Sequence, residues 1–158
     1  MQNIRPFSPC AVPSAACRLA ALLCLASALF STTAVAADTT ATAQWQRWTN
    51  AAKTAPDAAR GRDFFRNQHG GEWSCASCHG ANPTMQGRHA GTGKPIAALA
   101  PAFNPERFTD SAKADKWFRR NCKDVLEREC TAQEKADVLA WLLQFDAKNP
   151  PPPAKDKP

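Results

Sequence analysis

Two cysteines and a histidine stand close together near the middle of the chain, in the run Cys75-Ala-Ser-Cys78-His79. Cysteines three positions apart can reach the two vinyl groups of one haem and form thioether bonds with them. The histidine that follows directly then presents its imidazole to the iron from the proximal side. The pattern therefore predicts one covalent haem c, attached to Cys75 and Cys78 and ligated by His79.

Two other kinds of site use cysteines at this spacing. A thioredoxin-like redox pair lies next to a β-α-β pattern, which the sequence does not contain. A zinc site needs a second ligand pair, and Cys122 and Cys130 are not in C-x-x-C spacing. Haem attachment is the favoured interpretation.

The first 36 residues have the composition of a secretory signal peptide. Arg5 and Arg18 precede an apolar run over residues 19–30, and small residues follow up to Ala36. The apolar run is shorter than the roughly 20 residues that a membrane-spanning helix needs. We expect cleavage after Ala36 or Ala37, a periplasmic location and no stable membrane insertion.

The charge of the exported chain is mild. Without Arg5 and Arg18 it has 18 basic residues against 14 acidic ones, a net charge of +4. Basic and acidic residues are interspersed, which is typical of an ordinary solvated surface. We expect no nucleic-acid partner.

Cys122 and Cys130 are the cysteines of the exported chain that the haem motif does not use. Disulfides persist in an oxidising compartment, so these two residues are predicted to pair. The bond would close a short loop, which contributes about 2–3 kcal/mol to stability on the chain-entropy estimate. It would also fix the backbone beside Asn121.

Helical signals lie on both sides of the haem motif, and no segment alternates as a half-buried strand does. Asp57 and either Thr109 or Asp110 are placed to cap helices. Thr131 and Glu134 form a predicted capping box at the start of a last helix. The helical spacing of its apolar residues runs through Phe145, so this helix is expected to end only at Asn149 and the prolines that follow. The predicted fold class is all-α, a small cytochrome c-like domain wrapped around one haem.

The segments between the helices divide the chain. Residues 80–108 are rich in proline and glycine and predict a long irregular loop. We expect a signal peptide over 1–36, an amino-terminal segment with a short helix over 37–56, a haem domain over 57–147 and a disordered proline-rich tail over 148–158.

The second axial ligand of the iron stays open on the residues alone. Met85, His69 and His89 lie six, six and ten residues from the motif, short links for a chain that must pass round the haem edge. His89 is the least unfavourable of the three. Asn121 lies one helical turn after Trp117 and is a further candidate, although asparagine also commonly ends helices.

Several runs resemble the SHP-type cytochromes c, the "sphaeroides haem protein" class related to class I cytochromes c. The resemblance spans about residues 58–145, and the runs that carry it are Thr92-Gly-Lys-Pro-Ile96, Leu99-Ala-Pro101, Arg107-Phe-Thr-Asp110, Trp117-Phe-Arg-Arg-Asn-Cys122, Arg128-Glu-Cys-Thr-Ala-Gln-Glu-Lys-Ala-Asp137 and Ala140-Trp-Leu142.

This resemblance implies a high-spin haem, with His79 below the iron and Asn121 above it. It also implies a disulfide between Cys122, which follows that asparagine directly, and Cys130. Pro83 and His89 depart from the family pattern in the loop.

The resemblance implies electron transfer with other haem proteins, such as a dihaem or multihaem cytochrome c or a membrane cytochrome b. The distal asparagine is expected to open on reduction, so that O2, NO or CO can bind. The alternative hypothesis is an enzyme that reduces oxygen, peroxide or a nitrogen oxide at the open iron, for which we assign no catalytic residue.

Overall fold

The computed structural model describes residues 37–150, so the predicted signal peptide over 1–36 and residues 151–158 of the predicted tail lie outside the described residues. The described part contains five helices and a two-stranded antiparallel sheet, which confirms the all-α prediction. The helices are α1 (Ala41–Ala51), α2 (Ala58–Arg66), α3 (Cys75–His79), α4 (Ser111–Leu126) and α5 (Ala132–Leu142), and the strands are β1 (Gly87–Arg88) and β2 (Pro95–Ile96).

The helix starts follow the capping residues of the sequence. The Asp57 carboxylate accepts hydrogen bonds from two backbone N–H groups in the first turn of α2. Asp110, rather than Thr109, caps α4, since its carboxylate accepts from the Lys113 backbone N–H at 2.8 Å. The predicted capping box of Thr131 and Glu134 is present at the start of α5.

Two predicted features need correction. The last helix ends at Leu142, whereas the periodicity through Phe145 predicted that it continues towards the prolines. Phe145 still packs on the core, because the turn after the helix folds its ring to 5.3 Å from that of Trp141. The loop over 80–108 is also not wholly irregular, since β1 and β2 form a small hairpin within it.

The core forms where α2 crosses α5. Gly61 sits at the crossing, where an added Cβ would overlap the backbone carbonyl of Asp137 and approach the Val138 nitrogen to 2.7 Å. Because glycine lets the two backbones approach, Phe65 reaches Trp141, with 5.0 Å between ring centroids. The buried cluster comprises Trp48, Phe65, Ala114, Ala136, Val138, Leu139, Trp141 and Leu142.

Helix α1 packs on α5, and its side chains also tie it to α4. Arg47 donates two hydrogen bonds to the Asp115 carboxylate, at 2.9 and 2.5 Å. The Trp48 ring packs edge-on against Phe118, with centroids 4.8 Å apart. No helix within residues 37–150 is long and apolar enough to cross a membrane.

Candidate functional site

The predicted haem motif forms the one-turn helix α3. Ser74 and Ser77 build a capping box before it, each side chain accepting from the other's backbone N–H. Gly80 ends the helix with a φ of 76°, which glycine adopts without strain. One helical turn places Cys75 and Cys78 on the same side, as thioether bonds to a single haem require.

His79 ends α3 and faces the core. Its ring centroid lies 6.2 Å from that of Phe65. Burial, with a smaller contribution from the charge of Arg107, lowers the pKa of His79 to about 4, so the imidazole is neutral at pH 7. Its Nδ1 atom is buried and has no hydrogen-bond partner among the described residues.

The two motif cysteines are free thiols and partly buried. Burial raises the pKa of Cys75 to about 11, and the neighbouring Cys78 adds to the shift. Reactive redox cysteines have the opposite property, a lowered pKa that favours the thiolate. The environment of Cys75 therefore argues against a thioredoxin-like pair.

The hairpin of β1 and β2 packs directly against the motif. An added Cβ on Gly87 would overlap the Cys78 carbonyl oxygen and approach the His79 Cα to 2.8 Å. At the hairpin turn, the Ala90 N–H points to the Cys78 sulphur at 3.3 Å. This contact is not predicted by the sequence, in which the isolated glycine at 87 is its only local signal.

The side chains considered as other axial ligands have local contacts of their own. The Nδ1 atom of His89 accepts from two backbone N–H groups of its own turn, each at 3.2 Å. His69 donates from Nε2 to the Phe64 carbonyl oxygen at 2.8 Å. The side chain of Met85 is exposed.

Asn121 lies within α4, which continues for five more residues to Leu126. The interpretation that this residue merely ends its helix is therefore wrong. Asparagine has a low helix propensity and destabilises a helix interior. Its presence inside α4 is therefore not explained by helix stability. The residue is half-buried, and Phe118, one turn earlier, packs on the same core cluster as Cys75.

Cys122 and Cys130 are joined by a disulfide, with their Cα atoms 5.5 Å apart. Both residues are buried. The bond links the second half of α4 to Cys130, which directly precedes Thr131, the cap of α5. The backbone next to Asn121 is therefore tied to a second helix.

A cavity of about 210 Å³ separates the end of α4 from the loop that leads into the haem motif. It begins one helical turn after Asn121 and is lined by His69, Gly70, Gly71, Val125, Leu126 and Glu127.

The residues of α3 fit a covalent haem. Two free thiols lie on one side of a single helical turn, and the adjacent imidazole is neutral, with a buried nitrogen that has no hydrogen-bond partner within residues 37–150. Cys75 and Cys78 would hold the haem, and His79 would supply the proximal nitrogen. A haem held there supplies an iron centre that changes oxidation state by one electron.

Comparison with known proteins agrees with this site. Residues 51–142 match the model of a family described as "Domain of unknown function (DUF1924)". The Cytochrome c-type protein SHP of Cereibacter sphaeroides is 55% identical over 97 residues, which cover 58% of this chain and 74% of that protein. The chain belongs to this family, the SHP-type cytochromes c. The resemblance seen in the sequence is thereby confirmed, and haem c is the cofactor of such proteins.

Two solved structures of SHP-type and related cytochromes c share the fold. Oxidised SHP, described as an oxygen-binding cytochrome c, superposes with a TM-score of 0.62 at 47% identity, over 66% of this chain and 96% of that one. The solution structure of cytochrome c'' from Methylophilus methylotrophus gives 0.61 at 36% identity, over 71% and 97%.

Proposed function

We propose that this SHP-type cytochrome c is exported to the periplasm and carries one covalent haem. Cys75 and Cys78 hold the haem by thioethers, and His79 is the proximal ligand. The basic and apolar composition of residues 1–36 supports export. The one-turn geometry of α3 and the neutral His79 imidazole support the attachment.

Asn121 is the distal ligand in this proposal. The observation that carries it is a half-buried asparagine inside α4, next to a disulfide that ties its backbone to α5. Such a residue costs helix stability, and the disulfide restrains the backbone beside it. Met85 is exposed, and His69 and His89 accept or donate hydrogen bonds within their own segments.

The function that follows is electron transfer, combined with binding of small ligands that is controlled by the oxidation state of the iron. We call this control the redox gate. An amide oxygen is a hard donor that suits ferric iron and is held less well by the softer ferrous iron. Reduction of a haem held there would therefore weaken the bond from Asn121 and leave that side of the iron open to O2, NO or CO. The relatives described as oxygen-binding and as showing haem-ligand detachment support this behaviour.

The electron donors and acceptors in this proposal are other haem proteins, such as a dihaem or multihaem cytochrome c or a membrane cytochrome b. A one-electron centre of this kind exchanges electrons with another such centre without an acid–base residue at the site. An enzyme that reduces oxygen, peroxide or a nitrogen oxide would need such a residue, and a turnover assay distinguishes it from a carrier.

Absorption spectra of the purified protein test the distal ligand. The wild type should be high-spin when ferric, and its ferrous form should bind CO. Asn121→Met should move the ferric spectrum towards low spin if the thioether reaches the iron. Asn121→Ala should leave CO binding intact but make ligand binding much less dependent on reduction. Asn50→Ala, an exposed asparagine near the end of α1, is the matched control and should change neither spectrum.

Low-spin spectra in both oxidation states, without CO binding, would reject the hypothesis that reduction opens a ligand site, and would indicate a strong distal donor such as His89. A high-spin spectrum that Asn121→Ala leaves unchanged would reject Asn121 as the ligand. Steady turnover of peroxide or a nitrogen oxide would instead assign an enzyme.

A further inference from the structure

Helix α4, which carries Asn121, is held in the fold by side chains rather than by close backbone packing. Within residues 37–150 the helices whose backbones pack closely on α5 are α1 and α2, and α4 makes no comparable backbone approach to any element. The buried disulfide of Cys122 and Cys130 fixes the second half of α4. The first half depends on a separate set of contacts, which come from α1 and from the residue chain before it.

Three side chains of α1 contact the first half of α4, each about one helical turn further along it. The pairs are Gln44 with Ser111, Arg47 with Asp115, and Trp48 with Phe118. We call these three pairs the α1 contacts. The next turn of α4 after them is the one that carries Asn121.

Gln44 is the most informative of these residues, because its burial is unfavourable by itself. The side chain is 1% exposed, and its Oε1 atom has no hydrogen-bond partner within residues 37–150. Burial of an amide oxygen without a partner costs stability. The hydrogen bond that this amide does make runs from Nε2 to the Ser111 hydroxyl, at 2.8 Å. A glutamine at this position is therefore explained by the attachment of α4 and not by the stability of α1.

The start of α4 is also fixed by Asp38, which precedes α1. Its carboxylate accepts from the Ser111 backbone N–H at 2.9 Å, and its own backbone N–H donates to the Thr109 carbonyl oxygen at 3.1 Å. Ser111 is the first residue of α4, so the helix is held where it begins. Asn121 therefore lies between two fixed parts of α4, the α1 contacts on one side and the disulfide on the other.

We propose that Gln44 and Arg47 are positioning residues for the distal ligand, and that they act through α4 to keep Asn121 in the place from which it ligates a ferric haem held on α3. The inference rests on the redox gate proposed above. A rigid helix transmits a restraint along its length. While both parts of α4 are fixed, a molecule that competes for ferric iron binds only when the Asn121 side chain leaves by itself. When the α1 contacts are broken, the helix can move as well, and the competitor binds sooner.

Loss of the α1 contacts should therefore speed ligand binding to the ferric protein alone. Gln44→Met removes the hydrogen bond to Ser111 with a side chain of similar volume, and Arg47→Gln removes the ion pair with Asp115. We expect the double variant to bind azide about tenfold faster than wild type when ferric, since it loses one buried hydrogen bond and one exposed ion pair. Stopped-flow absorption of the purified holoprotein measures this rate. Binding of CO to the ferrous protein, from which Asn121 has already detached, should stay within about twofold of wild type.

Stability measurements separate positioning from a merely structural role. Gln44→Met removes a buried oxygen that has no partner in the described residues, so its urea midpoint should not fall below that of wild type, although its ferric azide binding becomes faster. Arg62→Gln is the matched control for Arg47→Gln. It breaks an ion pair of similar exposure with Asp63, within α2, and should change neither binding rate.

Asn121→Ala makes the test specific for the distal ligand. Alone, this variant should bind azide at least as fast as the double variant does. In the Asn121→Ala background, Gln44→Met and Arg47→Gln should have no further effect, because substitutions that act through the same residue are not additive.

Several results would overturn the positioning role while leaving the redox gate intact. They are an azide rate of the double variant equal to that of Arg62→Gln, an acceleration that persists in the Asn121→Ala background, and an equal acceleration of CO binding. If Gln44→Met does not accumulate as holoprotein, Arg47→Gln alone should bind azide about threefold faster, and an unchanged rate would overturn the role. An Asn121→Ala protein that binds azide at the wild-type rate would instead reject Asn121 as the distal ligand, and the positioning role with it.

Discussion

At the scale of single residues, burial sets the chemical state of the haem motif. It raises the pKa of the Cys75 thiol to about 11 and lowers the pKa of His79 to about 4. Both groups are therefore uncharged at neutral pH. A neutral imidazole keeps a lone pair for a metal, so His79 needs no proton loss before it can ligate iron.

The disulfide also acts at this scale, because it fixes one residue next to Asn121. Replacing Cys122 and Cys130 together by alanine should lower the free energy of unfolding by about 2–3 kcal/mol, since a short loop is released in the unfolded chain. Urea unfolding of the purified protein measures this change. The ferric spectrum should become a mixture of spin states, because Asn121 is no longer held in one place.

Wild-type protein treated with a thiol reductant is the control for that variant, and it should show the same loss of stability. If both samples unfold at the wild-type urea concentration and keep the wild-type spectrum, the bond neither stabilises the domain nor restrains Asn121.

At the scale of elements, the crossing of α2 and α5 forms the part of the core against which the haem motif packs. The crossing depends on Gly61, because the Asp137 carbonyl occupies the place of a side chain. Phe65, one turn later, then contacts both Trp141 and His79. The position of the proximal ligand is therefore linked to the distance between the two helices.

Gly61→Ala should force the helices apart. We expect a loss of about 1–3 kcal/mol in the free energy of unfolding, the usual cost of overpacking a core. Thermal unfolding followed by circular dichroism measures it. Gly71→Ala is the control, because its added Cβ would meet only the Val125 carbonyl at 3.7 Å, an ordinary contact. Equal stabilities for the two variants would contradict a tight crossing.

At the scale of the whole molecule, Asp137 joins the chain before α2 to α5. The buried carboxylate accepts from the Asp57 backbone N–H at 2.8 Å, from Gln133 at 3.1 Å and from two nitrogens of Arg60. Burial alone would raise the pKa of Asp137, but the hydrogen bond from Arg60 and those from Asp57 and Gln133 lower it below its usual value.

This lowered pKa makes the stability of the protein depend on pH in a definite direction. The unfolded carboxylate binds protons more readily than the folded one, so the contribution is present above an ordinary aspartate pKa of about 3.9. It is lost as the pH falls through the lower pKa of the folded state.

Asp137→Asn should lower the free energy of unfolding by about 1–3 kcal/mol at pH 7, because a buried charge-assisted network is broken. The difference from wild type should shrink as the pH falls below about 4. Urea unfolding across that pH range measures both. Asp115→Asn, which removes an exposed partner of Arg47, is the control and should change stability by less than about 1 kcal/mol. A constant difference between Asp137→Asn and wild type at all pH values would contradict the network.

Features that depend on neighbouring residues could be predicted from the amino-acid sequence. The spacing of Cys75, Cys78 and His79, the helix caps and the all-α class are local, because a cap or a thioether pair involves residues within one helical turn. The choice of Asp110 over Thr109 and the end of α5 at Leu142 were harder to predict, since helix ends depend on what the next residues pack against.

Features that join distant segments are visible only in the folded protein. The contact of Gly87 with Cys78 and the place of Asn121 within a continuing helix cannot be seen in a pattern of neighbours. Sequence periodicity reports which face of an element is apolar, whereas close approach and charge pairing are fixed only when the elements have packed.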